Sequence, residues 1–292
     1  MPHNFNDTFE SNRSKLIGLA YRMTGSRSDA EDIVNEAFIK WLHADHSAIQ
    51  APQVWLAKVT TRLSLDHLKS ARVQRETYVG PWLPEPFIDE GEIPDNQHEL
   101  DQSISLALMV LFEVLSPGER ASFILHDLFN YGFDEIGEIL NKPAPTCRKL
   151  ASRARSKIQQ DVPQCLPDKN EIVEMATAFF DAIRKGEMSG LVTLLKNNAI
   201  FYSDSDGKAA AAREVLEGNE TVAAFLMKVL HPVFANTDKH SIDVKCTWFN
   251  GVPGFVIRDD GKPVSAFSFM LEGGVISNVY VHRNPSKLSF FV

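Results

Sequence analysis

Thr146-Cys147-Arg148-Lys149-Leu150-Ala151-Ser152-Arg153-Ala154-Arg155-Ser156-Lys157 is the stretch on which the reading of the first half of the chain turns. Leu150, Ala151, Ala154 and Ile158 share one face at the helical period, while Arg148, Lys149, Ser152 and Arg153 project from the N-terminal half of the helix. Just upstream, Phe133 to Leu140 has the pattern of a short helix and Asn141 to Pro145 that of a tight turn, so the basic helix runs from about Ala144 to Gln160. A short helix, a turn and a basic amphipathic helix predict a helix-turn-helix, whose second helix enters a major groove by its N-terminal residues. Arg148, Lys149, Ser152 and Arg153 then stand where base edges are read, and Arg155 and Lys157, further along, where phosphates are held.

Further out on the N-terminal side the pattern stays helical. Ser116-Pro117-Gly118-Glu119 has the form of a capping box with proline at the tolerated first position. Ser28-Asp29-Ala30-Glu31 has the same form, and behind it Ala30, Ile33, Val34, Ala37, Phe38 and Trp41 make one apolar stripe, with Asp29, Asp32 and Glu36 on the other side. Pro52 opens a long helix to about Arg75, with Trp55, Leu56, Val59, Leu63 and Leu68 on its buried side and Lys58, Arg62, Lys69 and Arg72 on another face. Asp66 has the spacing of a helix-supporting i,i+4 partner for Arg62. Between about 76 and 100, Pro81, Pro84, Pro86 and Pro94 forbid a helix, and the acidic residues predict an extended, unpacked tether.

Charge is segregated along the chain. The 292 residues carry a formal net charge of −8, which taken alone argues against a polyanionic partner. Yet Lys58 to Arg75 holds five basic residues against Asp66 alone, and Lys142 to Lys157 holds six with no acid. Glu85 to Asp101, between them, holds seven acids and no Lys or Arg. Local field, not net charge, steers a polyanion.

Beyond Pro163 and Pro167 the pattern changes. Helices are expected at about Glu171–Lys185, Met188–Leu195 and Glu220–Phe234, with a short strand at Ala199–Ser203. Four strand-like runs follow, Ser241–Phe249, Phe255–Arg258, Val264–Leu271 and Val275–His282, separated by Asn250-Gly251, Asp260-Gly261 and Gly273-Gly274 turns. Helices and then an antiparallel meander predict an α+β domain. No stretch has the apolar length of a membrane span, and the N-terminus has no secretory pattern. Cys147, Cys165 and Cys246 are too few and too scattered for a zinc cluster or a disulfide frame, so the expected setting is cytoplasmic.

Three motifs resemble one family. Leu16-Ile17-Gly18-Leu19-Ala20-Tyr21-Arg22-Met23-Thr24-Gly25-Ser26, with Asp29-Ala30-Glu31-Asp32-Ile33-Val34-Asn35-Glu36-Ala37-Phe38, resembles the polymerase-gripping region of sigma factors. Leu115-Ser116-Pro117-Gly118-Glu119-Arg120 with Phe133-Asp134-Glu135-Ile136 resembles the start of their promoter-reading fourth region. Trp82-Leu83-Pro84-Glu85-Pro86 is similar, residue for residue, to the linker signature of extracytoplasmic-function (sigma-70 type) sigma factors that carry a fused C-terminal SnoaL-like domain. The resemblance implies a multidomain fold: two all-α sigma domains, a helical bundle and then a helix-turn-helix, joined by an acidic Pro-rich linker and followed by an α+β cone. The expected boundaries are 1–76, 77–100, 101–163 and 168–292.

It also implies roles. Asp29, Asp32 and Glu36 would dock on the beta-prime clamp of core RNA polymerase. Lys58, Arg62, Lys69 and Arg72 would approach the melted non-template strand of the −10 element, with the loop from about His43 to Gln50 pocketing a flipped base. Arg148, Lys149, Ser152, Arg153, Arg155 and Lys157 would face the −35 duplex. Trp82, Leu83 and Pro84 would meet the cone, at Asp204 and Lys208 or at the tail residues Asn284, Pro285, Lys287 and Leu288, or Trp82 would meet the polymerase itself. Both cone motifs depart from the family pattern: Asp204-Ser205-Asp206-Gly207-Lys208 stands for Asp-Gly-Gly-Gly-Lys/Arg, and Asn284-Pro285-Ser286-Lys287-Leu288 for Asn-Pro-Asp-Lys-Leu. A sigma factor makes no covalent change and needs no cofactor or metal. Two other readings stay open: a helix-turn-helix regulator with a small-molecule ligand in its cone, and a SnoaL-type enzyme using Asp204, Asp206, His240 or His282 as acid and base.

Overall fold

The computed structural model describes residues 5–75, 77–88, 106–161, 168–235 and 241–291. The acids from Asp89 to Asp101, Cys165 and His240 lie outside the described residues, as does the side chain of Arg72. The chain divides into two compact units. One holds the helices up to Asp161. The other holds everything from Lys169 onward together with the segment that starts at Thr77.

In the first unit, α1 (Phe5–Thr24), α2 (Arg27–Leu42) and α3 (Pro52–Arg75) pack as a bundle. Ala30, Ile33, Val34, Ala37 and Trp41 form the buried stripe of α2, and Trp41 meets the rings of His46 and Trp55. The helix starts two residues earlier than the Ser28 capping box predicts. Gly25 takes a left-handed φ of 74° at the end of α1, so Ser26 becomes the cap, and its hydroxyl accepts from the Asp29 amide at 3.2 Å. Glu31 pairs instead with Arg27.

The same unit contains α4 (Leu106–Phe112) from Leu108 onward, α5 (Pro117–Phe123), a π-helical turn (Ile124–Leu128), α6 (Phe133–Leu140) and α7 (Ala144–Asp161). The capping box at Ser116 and Glu119 forms as the sequence predicts. The joint between α6 and α7 is tight. Asn141 closes α6 in the left-handed region, φ 53°, and a Cβ on Gly137 would lie 2.7 Å from the Lys142 carbonyl oxygen. Glycine here lets the two helices approach backbone to backbone.

The second unit has α8 (Lys169–Lys185), α9 (Met188–Leu194), β1 (Leu195–Asp204), β2 (Leu216–Glu217), α10 (Asn219–Ala235), β3 (Ile242–Phe249), β4 (Val252–Asp259), β5 (Lys262–Glu272), β6 (Val275–His282), α11 (Pro285–Leu288) and a 3-10 turn (Ser289–Phe291). The sheet order is β2-β1-β6-β5-β4-β3. β3 to β6 form the expected meander, but β1 joins β6 in parallel, a pairing made possible by the long connection through α10. One face of the sheet, with Phe201, Phe267, Phe269 and Val281, packs on α8 and α10. The other carries Phe249, Val256 and Ala266 under Leu288, Phe291 and Ile88. Phe249 lies over Gly254, where a Cβ would come within 1.9 Å of the ring.

After β6 the chain forms a helical turn laid across the sheet. One expectation is corrected here, that of an unpacked tether. The start of the tether is irregular but packed: Leu83 is fully buried, Ile88 bridges Phe249, and Phe87 and Asn250 exchange two hydrogen bonds. The prolines prevent a helix yet leave an extended chain whose amides the C-terminal domain satisfies.

Gly137→Ala should loosen the α6–α7 joint by about 1–3 kcal/mol, although alanine is the better helix former. Backbone amides of α6 and α7 should then exchange faster with deuterated solvent, with α1 to α3 unaffected.

Candidate functional sites

α2 presents Asp32 and Glu36 in solvent, with Ile39 56% and Leu42 50% exposed further along the helix. Asp29 is half-buried and lies 3.3 Å from His67 on α3, and Glu36 pairs with Lys40 at 3.1 Å. The result is an outward stripe of acids followed by apolar side chains. On α3, Arg62 does not pair with Asp66. Its Nε donates to the Ile139 carbonyl at the end of α6 at 3.1 Å, and Asp66 takes Lys69 at 2.7 Å. Lys58 is half-buried. A second arginine ties α1 to the later helices of this unit: Arg120, 4% exposed, donates to the Met23 carbonyl at 2.7 Å and pairs with Glu113.

α7 turns Ala151, Ala154 and Ile158 inward and Arg148, Lys149, Ser152 and Arg153 outward, as the periodicity predicts, with Leu150 half-buried and Cys147 buried as well. Arg155 and Lys157, expected at phosphates, have carboxylate partners within the helical unit. Arg155 makes a two-pronged contact with Asp127 at 2.7 and 3.1 Å. Lys157 reaches Glu119 at 2.8 Å. Burial disfavours charge on Glu119, but hydrogen bonds from Lys157 and Ser116 outweigh it and hold the carboxyl below its usual range. These two cations fasten α7 to its own domain.

The signature residues of the tether and the cone meet in one cluster inside the second unit. Asp204 is fully buried at the end of β1. Its carboxylate accepts from the Tyr78 hydroxyl, from the Leu83 amide at 2.7 Å and from the Lys287 ammonium at 2.6 Å. Lys287, 5% exposed, also donates to the Leu83 carbonyl and lies 4.4 Å from the centre of the Trp82 ring. Asn284 caps α11 through Ser286 and donates to the Tyr78 hydroxyl at 3.0 Å. Pro285 is the first residue of α11, and Leu288 packs under the sheet. Lys208 stands apart from the tether and pairs with Asp206, which holds a left-handed φ of 52° in place of the family glycine. Sequence reading missed Tyr78, which has no motif of its own, and Arg258, which donates to the Phe291 carbonyl at 3.0 Å and fixes the tail.

His282 completes the cluster. Pro84 offers only an acceptor, so His282 Nε2 carries the hydrogen that meets the Pro84 carbonyl at 2.8 Å, and Nδ1 is left buried with no partner among the described residues. Burial holds its pKa at about 4. Asp204 and His282 lie on the sheet face opposite the one that packs on the helices, because side chains alternate along β1 and β6. The cavity on the helix side is lined by Phe201, Ser203, Phe225, Phe267 and Arg283, and is about 20 Å³, room for one water. Asp204 and His282 therefore contact the tether on the face opposite this cavity. Among the described residues no group of three or more His, Cys, Asp or Glu is placed to hold a metal, and no helix is long and apolar enough to cross a membrane.

Residues 8–73 match Sigma-70 region 2, and residues 105–158 match Sigma-70 region 4. The extracytoplasmic-function (ECF) RNA polymerase sigma factor SigJ of Mycobacterium tuberculosis is 38% identical over 226 residues, 75% of this chain and 71% of that protein. The chain belongs to the ECF RNA polymerase sigma factors. The probable ECF sigma factor SigI of the same organism is 35% identical over 191 residues, 64% of this chain, which spans only 65% of that relative's length. The crystal structure of SigJ superposes with a TM-score of 0.75 at 30% identity, covering 97% of this chain and 98% of that one. The sigma domains and the C-terminal α+β domain thus recur together in one solved structure.

Stability of the second unit should fall as pH drops from about 6.5 toward 4. Over that window the unfolded chain protonates His282 and the folded chain does not, a difference of about 3 kcal/mol at its full extent. His282→Gln keeps a donor for Pro84 without the titration, so its melting temperature should change less than that of the unaltered chain between pH 7 and pH 5.

Proposed function

We propose that this sigma factor brings core RNA polymerase to promoters through three separate surfaces of its helical unit, and that the C-terminal domain sets how readily it does so. The outward stripe of Asp32, Glu36, Ile39 and Leu42, with Asp29 at its edge, suits the beta-prime clamp: acids steer the encounter, and apolar side chains supply area to bury. The α3 face with Lys58, Arg62, Lys69 and Arg72 approaches the −10 non-template strand. The N-terminal half of α7 enters the −35 major groove, where Arg148 and Arg153 read bases and Lys149 and Ser152 support them.

The observation that carries this reading is the division of labour on α7. Arg155 and Lys157 are held by carboxylates of the same domain, while Lys149 and Arg153, nearer the N-terminus, are exposed and make no ion pair among the described residues. A helix built only for packing has no reason to leave its cations unmatched at the one end that a groove admits.

Arg62 adds a conformational condition. Its guanidinium is bound to the end of α6, so using it on DNA requires that contact to part. The tether supplies the regulatory link. Part of the chain between α3 and α4 is fastened to the C-terminal domain through Asp204 and Lys287, so that domain controls how much of the tether is free. Core binding and this fastened arrangement are then coupled as a two-state equilibrium. A small-molecule ligand entering the cone at the 20 Å³ cavity between Phe201, Phe225 and Phe267 would have to open the helix–sheet packing first.

Run-off transcription with purified core polymerase tests the reading as a whole. The regulator alternative predicts duplex binding by the chain alone and no transcript. Reversing Asp32 and Glu36 to Lys should lower core affinity ten-fold or more, about 1.4 kcal/mol, with the melting temperature unchanged, because both side chains lie in solvent. Unchanged affinity in a titration would remove the docking face. Lys287→Met should change promoter-specific transcription at equal protein concentration. An identical yield would remove the regulatory role of the cluster.

A further inference from the structure

Arg148 differs from the other outward cations of α7. Its guanidinium carbon lies over the Phe133 ring, 5.2 Å from the centroid, and it makes no hydrogen bond or ion pair among the described residues. Phe133 is the first residue of α6 and is half-buried. It is itself packed: the His126 ring lies with its centroid 4.0 Å from that of Phe133, tilted by 30°. His126 is fixed in turn by its Nδ1 hydrogen, which meets the Tyr131 carbonyl at 2.9 Å.

The π-helical turn explains why His126 can stand there. Within Ile124–Leu128 the Phe129 amide reaches back five residues to the Ile124 carbonyl at 3.1 Å. The extra residue in the turn places two consecutive side chains on two targets: His126 meets Phe133, and Asp127 meets Arg155. A single irregular turn therefore braces α7 at mid-helix and, through Phe133, near its N-terminus.

We propose that Phe133 is a positioning residue for promoter reading, holding the Arg148 guanidinium in the orientation it needs at a −35 base edge. Stacking on a ring uses the flat face of a guanidinium and leaves its N–H edge free for a two-pronged contact with guanine. An arginine oriented before the encounter has less rotamer freedom to lose on binding. Arg155 shows the contrast, since its Nε and Nη2 donors are occupied by Asp127. The inference rests on the reading of Arg148 as a base-reading residue, and the experiment separates the two.

Holoenzyme assembled from the full chain and core polymerase selects promoters from a duplex library randomised over the −35 element, and the selected pool is sequenced. Arg148→Ala should abolish preference at one or two base pairs. Phe133→Leu should weaken preference at those same positions by about two- to five-fold and leave the other positions unchanged. Phe133→Tyr, which keeps a ring, should restore the original profile, and Phe133→Leu should have no further effect in the Arg148→Ala background. If Phe133→Leu lowers the melting temperature, His126→Leu gives the same test with the Phe133 ring retained, and the same positions should weaken. Equal flattening at every position, or loss at positions Arg148→Ala does not touch, would show Phe133 to be a packing residue only. An unaltered profile for Phe133→Leu beside a changed one for Arg148→Ala overturns the positioning role and keeps Arg148 as a reader. An unaltered profile for Arg148→Ala overturns both.

Discussion

A carboxylate sealed from water must find its partners inside the protein, and Asp204 is that carboxylate here. An unpaired charge at this position would be strongly destabilising. Its three donors come from two distant parts of the chain, Tyr78 and Leu83 in the tether and Lys287 in the tail. Tether, sheet and tail consequently fold as one unit. The rest of that face follows from the same constraint. Lys287 can lie buried because Asp204 and the Leu83 carbonyl accept its hydrogens and Trp82 faces its charge. Leu288 and Phe291 then cover Phe249, and Phe249 fits only because position 254 has no side chain.

The helical unit uses charge in the opposite way. Glu119 and Asp127 draw Lys157 and Arg155 back onto the domain, while Arg148, Lys149, Ser152 and Arg153 nearer the start of α7 stay exposed. Arg62 and Arg120 join the early helices to the later ones by donating to carbonyls at helix ends, where backbone acceptors are left over. Contacts of this kind add polar ties to the packing between the two parts of the unit. The same arginine chemistry that suits phosphate therefore also serves to keep region 2 and region 4 together.

The two buried polar groups Asp204 and His282 sit on the tether side of the sheet for a geometric reason. Strand alternation sends Asp204 and His282 to the tether side of the sheet and Ser203 and Arg283 to the cavity side. Asp204 and His282 are thus one pleat away from the cavity lined by Phe201, Ser203 and Phe267.

Local periodicity, capping and turn chemistry were enough to place α2, α3, α6, α7, α8, α10 and the β3 to β6 meander from sequence, because each depends on neighbours within a few residues. The apolar stripe of α2 and the outward cations Arg148, Lys149 and Arg153 follow from the 3.6-residue period alone. The motifs at Trp82, Asp204 and Asn284 were also legible as signatures. Tertiary structure decided what local patterns do not encode: the parallel pairing of β1 with β6, the packing of a Pro-rich tether, the helical tail, and the partners of Arg62, Arg155 and Lys157. A basic residue reads the same in sequence whether it will meet a phosphate or a carboxylate 28 or 38 positions away. Only the fold brings Asp127 and Glu119 beside α7, and only there does the local field choose between the two.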